Sequence, residues 1–589
     1  TGAAEYYYAG GLVGGNGGTV IGCYSTVVVH GISGVGGLVG ANLGDVTLCY
    51  STGAVSGDGN DVGGLVGYNS GTVTQSHSTC PTLGVEHVGG LMGYNHYDGI
   101  VAECYSTGAV SGALSVGGLV GSNYGYGYTH WWKRGSITHS YSTGVANGIS
   151  HVGGLVGHND GGAVDRCYST GEVNGGSSVG GLVGEDVDGA VNACFWDMQS
   201  SSQATSAGGL GKTTFEMHRI ATYQEMGWDF WGDPGDGLHE IWYMPGDSAY
   251  PLLASFNGYV PPQLQGSGSD EDPYLISDAI ELGAVYHHSS TDHYRLVASI
   301  DLTGIRWGAA VIPVFAGVFD GNDLTISNLT IAGTGHLGLF GRLESRAAIK
   351  DLGLTDVNVI GCGMYVGGLA GYSHGGSESD CHVAGTVRGT DCVGGLVGYQ
   401  EYWPARVTRC SSTAAVSGND SVGGLVGYHG SLSVSQSYST GAVRGTSRVG
   451  GVAGHNTGTL THCYSTSPVS GKRDVGGLVG LNNSEVTNCY SAGAVTGDQN
   501  IGGLIGRNYT PQHPRVTASL WDAQTSRKAM SAAGTGLTTA EMQTAQTFLD
   551  AGWDFVGETA NGTEDIWWIL EGLDYPRLWW EAIELTIDD

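Results

Sequence analysis

A five-residue string, Gly-Gly-Leu-Val-Gly or a close variant, recurs along the 589-residue chain and constrains its fold more than any other feature. Successive copies are mostly 26 or 27 residues apart. The second glycine of each copy stands at Gly11, Gly37, Gly64, Gly90, Gly118, Gly154 and Gly181, and then at Gly338, Gly368, Gly395, Gly424, Gly451, Gly477 and Gly503. A fixed period of this length indicates a repeat architecture in which each unit stacks on its neighbours.

Each repeat consists of short β-branched runs separated by Gly, Asn and Ser, a pattern typical of strands and turns. About 27 residues suits one coil with three short strands and three corners. Within Cys49–Ser56, alternation predicts that Ser51 and Val55 point inward and that Tyr50 points outward. The position before the cysteine varies between repeats and is often charged, which predicts a corner or bulge at Leu48 and its equivalents.

Stacked coils place equivalent residues ~4.8 Å apart, so a residue type repeated at one position forms a ladder. The sequence predicts a ladder of mutually hydrogen-bonded amides at Asn16, Asn42, Asn69, Asn95, Asn123, Asn159, Asn456, Asn482 and Asn508. It also predicts an outward aromatic row at Tyr24, Tyr50, Tyr105, Tyr141, Tyr168, Tyr438, Tyr464 and Tyr490.

The Gly-Leu-Val-Gly core and the Cys-Tyr-Ser-Thr-Gly segment that follows it, as at Cys49–Gly53, resemble the GLUG-motif repeat family. Such repeats occur in large bacterial surface proteins, including adhesins and the non-catalytic part of some immunoglobulin-A peptidases. Phe315–Ile326 resembles the opening coil often found before such repeats. The resemblance covers most of the chain and implies a β-helical stalk in a secreted context, and it carries over no catalytic residue.

The same closing module follows each of the two repeat arrays, and ten of the 14 tryptophans lie in these modules. An open solenoid end exposes strand edges and core, so a bulky aromatic lid is expected there. An aromatic sugar-binding module is the alternative. Each module carries a predicted capping box, which opens a helix of about 12 residues that ends at Gly227 or Gly552. The boxes are Thr213 with Glu216 and Thr538 with Glu541.

The predicted fold class is all-β: two tandem parallel β-helix (β-solenoid) arrays, with about seven coils each at ~27 residues per coil. Each array is closed by a small aromatic-rich cap with one helix. The predicted segments are array 1 without an N-terminal cap (1–193), its C-terminal cap (194–256), a linker (257–270), the N-terminal cap of array 2 (271–312), array 2 (313–518) and its C-terminal cap (519–589).

Charge and hydropathy narrow the possible partners. The chain carries 22 Lys and Arg against 54 Asp and Glu, a formal charge of −32, which disfavours nucleic acid and anionic membranes. No stretch approaches the ~18 apolar residues of a membrane span. Because the chain opens at Thr1 inside a repeat, we expect a mature or fragmentary product.

The 12 cysteines predict structure rather than chemistry. Most occupy one repeat position, where Ser76, Ser140 and Ser437 also occur, so they are interpreted as small inward residues. Cys362 and Cys392 lie off that position, one coil apart, and form the predicted disulfide. There is no Cys-x-x-Cys and no metal-binding histidine motif, so no metal site and no cofactor are predicted.

Aromatic insertions at one corner are the candidate contact sites. A 36-residue step between two repeats inserts 124–134, and the same corner of array 2 carries a shorter aromatic loop. Insertions at one corner of a solenoid emerge on one edge, where rings can stack on sugars or anchor a protein. A loop folded back on the solenoid is the alternative. The candidate residues are Tyr124, Tyr126, Tyr128, Trp131, Trp132, Tyr402 and Trp403.

The sequence favours a non-catalytic structural or adhesive β-solenoid protein, secreted or at a bacterial cell surface, that contacts surface glycans or proteins. One alternative is a self-assembling subunit of an extracellular fibre or surface layer. It would join copies end to end through the uncapped end at Tyr6, Tyr7 and Tyr8. The other alternative is a polysaccharide-active β-helix enzyme, which requires three or more charged side chains to converge in a groove.

Overall fold

The computed structural model describes residues 8–126, 133–246, 248–402, 405–430, 433–509 and 516–581. The chain divides into two compact units. Unit 1 comprises Thr1–Gly232 and Glu240–Val260, and unit 2 comprises Asp233–His239 and Pro261–Asp589. Both are parallel β-solenoids, as predicted, and together they contain about 18 turns. The finer segment boundaries given above stay predictions.

A coil of unit 1 contains five short strands rather than the three predicted. In one coil they are Asn60–Gly63, Val66–Asn69, Thr72–Thr74, His77–Ser78 and Thr82–Leu83. Turns at glycine pairs and at left-handed residues divide the coil more finely than the pattern of β-branched residues indicated. Each strand pairs in parallel with its equivalents in the coils on either side.

Two sheets of each unit position the candidate sites. In unit 1 the first sheet contains Tyr24–Ser25, Tyr50–Ser51, His77–Ser78, Tyr105–Ser106, Tyr141–Ser142, Tyr168–Ser169, Phe195–Asp197 and Leu210–Lys212. The second contains Val13–Asn16, Val39–Asn42, Val66–Asn69, Met92–His96, Val120–Tyr126, Val156–Asp160 and Val183–Val187.

The corresponding strands of unit 2 follow the same repeat. One series is His382–Arg388, Ser411–Ser412, Tyr438–Ser439, Tyr464–Ser465, Tyr490–Ser491, Leu520–Asp522 and Thr535–Leu537. The other is Ile312–Phe315, Phe340–Leu343, Ala370–His374, Val397–Glu401, Val426–His429, Ala453–Asn456, Val479–Asn482 and Ile505–Asn508. Unit 2 opens with longer strands, Val318–Ser327 and Ala348–Gly361, over a core rich in phenylalanine.

The glycine pair of the repeat is required by close packing inside the coil. A Cβ atom on Gly64 would lie 2.0 Å from the Gly90 carbonyl oxygen and 2.3 Å from the Ser78 hydroxyl. The equivalent serine of the preceding coil, Ser51, donates a hydrogen bond to the Gly64 carbonyl at 2.6 Å. The glycine pair and the serine segment of the repeat are therefore held together by close packing and a hydrogen bond across the interior of the coil.

The predicted asparagine ladder is confirmed. Seven of the amides donate to the side-chain oxygen of the asparagine in the next coil, with N···O distances of 2.7–3.0 Å. Asn159 donates instead to the Asp186 carboxylate at 2.6 Å. In unit 2 the earlier coils carry Ser373, Gln400 and His429 at this position instead. These hydrogen bonds pair the buried amide groups with one another, and an unpaired buried amide would destabilise the folded state.

The corner before the cysteine is also confirmed, with a left-handed backbone at Leu48 (φ 56°), Gln75 (φ 44°) and their equivalents. Not every residue at this corner position is exposed, since Glu103 and Arg166 are buried. A second left-handed row, which the sequence reading did not identify, includes Asp61 (φ 60°) and its equivalents. Left-handed conformations are unfavourable for residues with a side chain, so the stack must hold them in place.

The cysteines and serines at the shared position form a hydrogen-bonded ladder, which refines their interpretation as small inward residues. The Cys49 amide donates to the Ser76 hydroxyl at 3.0 Å, and that hydroxyl donates to the Thr74 carbonyl at 2.7 Å. Cys463 and Cys489 repeat the pattern with sulfur in place of oxygen. Cysteine and serine can both occupy this position because the thiol and the hydroxyl each donate one hydrogen bond and accept another.

Five short α-helices lie among the described residues: α1 (Thr214–Met217), α2 (Ile220–Gln224), α3 (Ala279–Ala284), α4 (Thr539–Met542) and α5 (Ala545–Asp550). Both predicted capping boxes are confirmed, at α1 and α4. The single helix expected in each closing module is instead a pair of short ones. Gly227 and Gly552 end each pair in the left-handed conformation (φ 75° and 83°).

Candidate functional site

A row of stacked rings, here named the tyrosine ladder, runs along one flank of unit 1. Neighbouring ring centroids are 4.6–5.1 Å apart and the rings are within 9° of parallel. One residue per coil in register produces this spacing. The rungs are Tyr24, Tyr50, His77, Tyr105, Tyr141 and Tyr168. Because the faces stack on one another, the ladder presents ring edges outward.

The closing module of unit 1 folds back over this ladder. The Tyr168 ring lies 6.0 Å from that of Trp242, and its hydroxyl donates to the Pro251 carbonyl at 2.7 Å. Phe256 contacts the edge of Tyr105 at 5.1 Å. The expectation of an outward row therefore holds at Tyr24, which is 60% exposed, and is wrong at Tyr168, which is buried.

Unit 2 repeats the arrangement. The Tyr490 hydroxyl donates to the Pro576 carbonyl at 2.7 Å, and Tyr464 donates to Glu581 at 2.7 Å. Burial raises the pKa of Glu581, even though Tyr464 and Arg577 stabilise its carboxylate. In both units the aromatic lid thus covers the flank, while a separate tryptophan, Trp196 or Trp521, lies against the last glycine pair of the core.

A second aromatic surface, the unit 1 flank surface, consists of Tyr68, His87, Tyr94, His96 and Tyr124. Their rings lie 4.8–6.3 Å apart on neighbouring coils. Of the predicted edge residues, Tyr124 belongs to this surface. Tyr126 pairs through its backbone with Lys133, and Tyr128, Trp131 and Trp132 lie outside the described residues.

Hydrogen bonds hold the side chains of this surface in position, and burial shifts their pKa values. The Tyr68 hydroxyl lies 2.9 Å from His96 Nδ1, and His87 Nδ1 lies 2.8 Å from an Asp61 carboxylate oxygen. Burial lowers the pKa of His96 against the smaller opposite effect of the Asp61 charge. Burial also raises the pKa of Tyr68 and Tyr94. The His96 imidazole and the hydroxyls of Tyr68 and Tyr94 are therefore favoured in their neutral forms.

The unit 2 flank surface occupies the equivalent position and consists of Tyr365, Tyr372, His374, Tyr399 and Tyr402. Glu401 joins two of these rings, accepting hydrogen bonds from the hydroxyls of Tyr372 (2.6 Å) and Tyr399 (2.9 Å). The predicted residue Tyr402 is 41% exposed, and its ring lies 4.4 Å from that of His374. Trp403 lies outside the described residues.

Sequence reading found the loops but missed most of both flank surfaces. Three of the missed rings, Tyr68, Tyr94 and Tyr372, stand directly after the Gly-Leu-Val-Gly string or its variant, where other copies carry Ala41 or Ser122. Aligning that position across the repeats identifies these three, whereas the missed histidines stand at other positions of the repeat.

A cavity of about 420 Å³ opens on unit 2 between two coils. It is lined mainly by Asp380, His382, Arg409, Ser411, Tyr438 and Trp580. No predicted site residue lies in it, because its lining residues come from three successive coils and the closing module.

The predicted assembly end is described only at Tyr8, since Tyr6 and Tyr7 lie outside the described residues. Tyr8 is 44% exposed, and its ring lies 6.4 Å from that of Tyr68. The first coil and its neighbour carry further exposed apolar side chains, at Leu12, Ile21, Val27, Val28, Ile32, Leu43 and Leu48.

Cys362 and Cys392 are free cysteines, one exposed and one half-buried. The register places Cys392 opposite Tyr365, because Met364 pairs with Asp391 and Val366 with Val393. The two cysteines are therefore not register partners, and their disulfide stays a prediction. Burial raises the pKa of Cys392 to about 12.

Among the described residues, no group of three or more His, Cys, Asp or Glu side chains is arranged to hold a metal ion. None of the described helices has the length and apolar character needed to cross a membrane.

Comparison with known families identifies four copies of the GLUG motif, at residues 112–147, 148–174, 389–417 and 473–496. The matched segments lie in both units and contain the Gly-Gly-Leu-Val-Gly strings and their serine segments.

Two curated proteins share the repeat. Over 154 aligned residues the chain is 35% identical to "Halomucin" of Haloquadratum walsbyi, covering 23% of this chain and 2% of halomucin. Over 123 residues it is 32% identical to a "Putative Gly-rich membrane protein" of Evansella cellulosilytica, covering 19% of this chain and 14% of that protein. The chain thus spans a small part of the length of each relative.

Among solved structures, one described as "a putative immunoglobulin A1 protease" from Bacteroides ovatus matches with a TM-score of 0.37 and 18% identity. The match covers 54% of this chain and 95% of that structure.

Proposed function

We propose that this chain, a β-solenoid built from GLUG-motif repeats, is a non-catalytic structural and adhesive protein, secreted or held at a cell surface. Its two relatives are named for a mucin and a membrane protein, which supports a place at the cell surface. The strong negative charge opposes self-association of such a repetitive protein and disfavours nucleic acid as a partner.

The observation that carries the adhesive part is the pair of flank surfaces. Each unit places tyrosine and histidine rings at the same position of successive coils, with hydroxyls and a carboxylate beside them. Tyrosine combines a large apolar contact area with a polar group and has few torsions to order. Surfaces that bind glycans or proteins are rich in such residues.

The acidic groups of the closing modules support a non-catalytic function. Asp197 accepts hydrogen bonds from Tyr250 and Thr214 at 2.6 and 2.7 Å, and Asp522 accepts one from Tyr575 at 2.6 Å. Each carboxylate is fully buried and holds its module on the ladder. The cavity at Ser411 is lined by a single carboxylate, whereas glycoside hydrolysis usually needs two.

Binding of the labelled full-length chain to a glycan array and to cells tests the proposal. Replacing His374 and Tyr402 together by serine should reduce binding at least tenfold. Replacing Phe215, which is 72% exposed on α1 of the closing module, is the matched control and should leave binding unchanged. Equal binding by the double variant and the wild type would exclude this surface from adhesion.

End-to-end assembly is a second candidate, favoured by the exposed apolar side chains of the first coil. Within the described residues no further strand pairs with the outer edge of Ala9–Gly10. Val28→Asp should lower any concentration-dependent association measured by sedimentation velocity. Val260→Asp is the control, because Val28 and Val260 are each 74% exposed. A wild-type chain that stays monomeric at all concentrations would remove this candidate.

A further inference from the structure

One rung is missing from the tyrosine ladder of unit 2. The register places His382, Ser411 and Tyr438 opposite one another on three successive coils, followed by Tyr464 and Tyr490. Each of these positions except Ser411 carries a ring. The stack from Tyr438 to Tyr490 keeps centroid spacings of 4.8 and 4.9 Å, so one coil without a ring separates His382 from the stacked pair of Tyr438 and Trp580.

The cavity of about 420 Å³ lies at this gap. Ser411, Thr413, Val383 and Ala384 line it, and the rings of Tyr438 and Trp580 stack 5.5 Å apart beside it. Its volume falls in the range of roughly 300–1,000 Å³ that is usual for small-molecule sites. We name this cavity the Ser411 slot.

The ring on the opposite side leans away from the gap. A Cβ atom placed on Gly353, in the preceding coil, would lie 2.5 Å from His382 Nε2. The imidazole therefore packs against a backbone that carries no side chain. Glycine at this position lets His382 lean toward the preceding coil, which widens the slot.

Polar groups border the same cavity. Arg409 donates two hydrogen bonds to the Asp380 carboxylate, both at 2.6 Å, and both side chains are only half-buried. Such a bidentate pair is held rigidly and still offers free lone pairs and N–H groups at its rim. Its net charge is close to zero, so it favours neutral hydroxyl groups over a charged ligand.

We propose that the Ser411 slot binds one hexopyranose unit of a neutral glycan, with the sugar ring in place of the missing rung. Apolar C–H faces of the pyranose would contact Tyr438, Trp580 and His382, and its hydroxyls would bond to Asp380 and Arg409. The acidic protein as a whole repels anionic glycans, which restricts the ligand to neutral sugars. This inference rests on the proposed adhesive function and gives it a ligand class.

Calorimetric titration of the full chain with cellotriose, maltotriose and mannotriose tests the slot. The informative variant is Ser411→Tyr, which restores the ring found at Tyr438, Tyr464 and Tyr490 and therefore suits the fold. At least one trisaccharide should bind the wild type, and Ser411→Tyr should weaken that binding more than tenfold without lowering the thermal midpoint. Arg409→Gln should weaken it less, because stacking remains.

Two outcomes would overturn the slot: no binding of any trisaccharide at millimolar concentration, or equal binding by the wild type and Ser411→Tyr. Failure here is distinct from failure of the proposed function. If Ser411→Tyr has no effect but the His374 and Tyr402 double variant loses adhesion, only the slot is wrong. If neither variant changes binding to cells or glycans, the proposed adhesive function is contradicted as well.

Discussion

The tyrosine ladders of the two units share one backbone geometry, but only the ladder of unit 2 is interrupted between two rings. In unit 1 every position from Tyr24 to Tyr168 carries a ring, and Phe256 covers part of the row. In unit 2 the row lacks a ring at Ser411, and a cavity lies there. Parallel pairing fixes the coil spacing whatever the side chain. A single substitution in one repeat can therefore change the surface without changing the fold.

The closing modules show the opposite behaviour, since several of their buried hydrogen bonds are the same in both units. Trp228 donates to the Ala193 carbonyl at 2.9 Å, and Trp553 donates to the Ala518 carbonyl at 2.9 Å. The hydroxyls of Tyr250 and Tyr575 each lie 2.6 Å from a buried aspartate. Conformity here indicates a structural role, while divergence at Ser411 indicates a site.

The largest expected effect comes from removing the modules' buried tryptophans. Trp228→Ala in unit 1 and Trp553→Ala in unit 2 each leave a large cavity, because both rings are fully buried. Each should lower the unfolding free energy of its own unit by about 3–5 kcal/mol. Hydrogen-exchange mass spectrometry reads the two units separately. A loss below about 1 kcal/mol in either unit would show that its module does not stabilise the ladder.

A buried carboxylate distinguishes the interior of unit 2. Glu378 stands where its register partners are Ile349 and Val407, and it accepts a hydrogen bond from Ser373 at 2.6 Å. Burial raises the pKa of Glu378 from its ordinary value of 4.5 to about 7. The folded state therefore keeps its proton where the unfolded chain loses it, and the stability of unit 2 should fall as pH rises from about 4.5 to 7.

Glu378→Gln should abolish this dependence and stabilise unit 2 by about 1–3 kcal/mol at pH 8. Denaturant unfolding of the wild type and the variant at pH 5 and pH 8 measures the difference. Unit 1, which carries asparagine amides along the ladder and valine at the Glu378 position, serves as the internal control. An unchanged pH profile in the variant would mean that Glu378 does not titrate in this range.

A smaller and equal effect is expected from the matched hydroxyls of the ladder. Tyr168→Phe and Tyr490→Phe each remove one hydrogen bond to a proline carbonyl, at 2.7 Å in both units. Each should cost its unit about 0.5–1.5 kcal/mol. Clearly unequal losses, measured by the same exchange experiment, would contradict the equivalence of the two modules.

The smallest effect concerns a gap made in unit 1. Tyr50→Ser removes the ring between Tyr24 and His77 and so copies the missing rung. The position equivalent to Arg409, two residues earlier in the same coil, carries Leu48. We expect calorimetry to detect no new trisaccharide binding. Binding as tight as at Ser411 would show that stacking alone suffices and that Asp380 and Arg409 are dispensable.

The sequence predicted features that depend on one residue per coil. The asparagine ladder and the corner at Leu48 follow from the period alone, because stacking brings equivalent residues together. The path of the closing modules could not be predicted from the period. No sequence feature near Trp242 shows that this ring packs on Tyr168 instead of covering the open end of the solenoid. Glu401 and Tyr372 are 29 positions apart, and their hydrogen bond could be predicted only by knowing which residues pair between neighbouring coils.

The candidate site was predicted only in part for the same reason. Tyr124 and Tyr402 were found as insertions, whereas Tyr94 and Tyr399 stand inside the regular repeat and do not interrupt it. Ser411 is an absence within a row, visible only when the position is compared across coils. Its partner Trp580 comes from 169 residues further along the chain.

The most direct test is a crystal structure of the full chain with the tightest-binding neutral trisaccharide. We expect one pyranose ring in the Ser411 slot, between His382 and the stacked pair of Tyr438 and Trp580, with hydroxyls within hydrogen-bonding distance of Asp380 or Arg409. A sugar bound elsewhere, with the Ser411 slot empty, would contradict it.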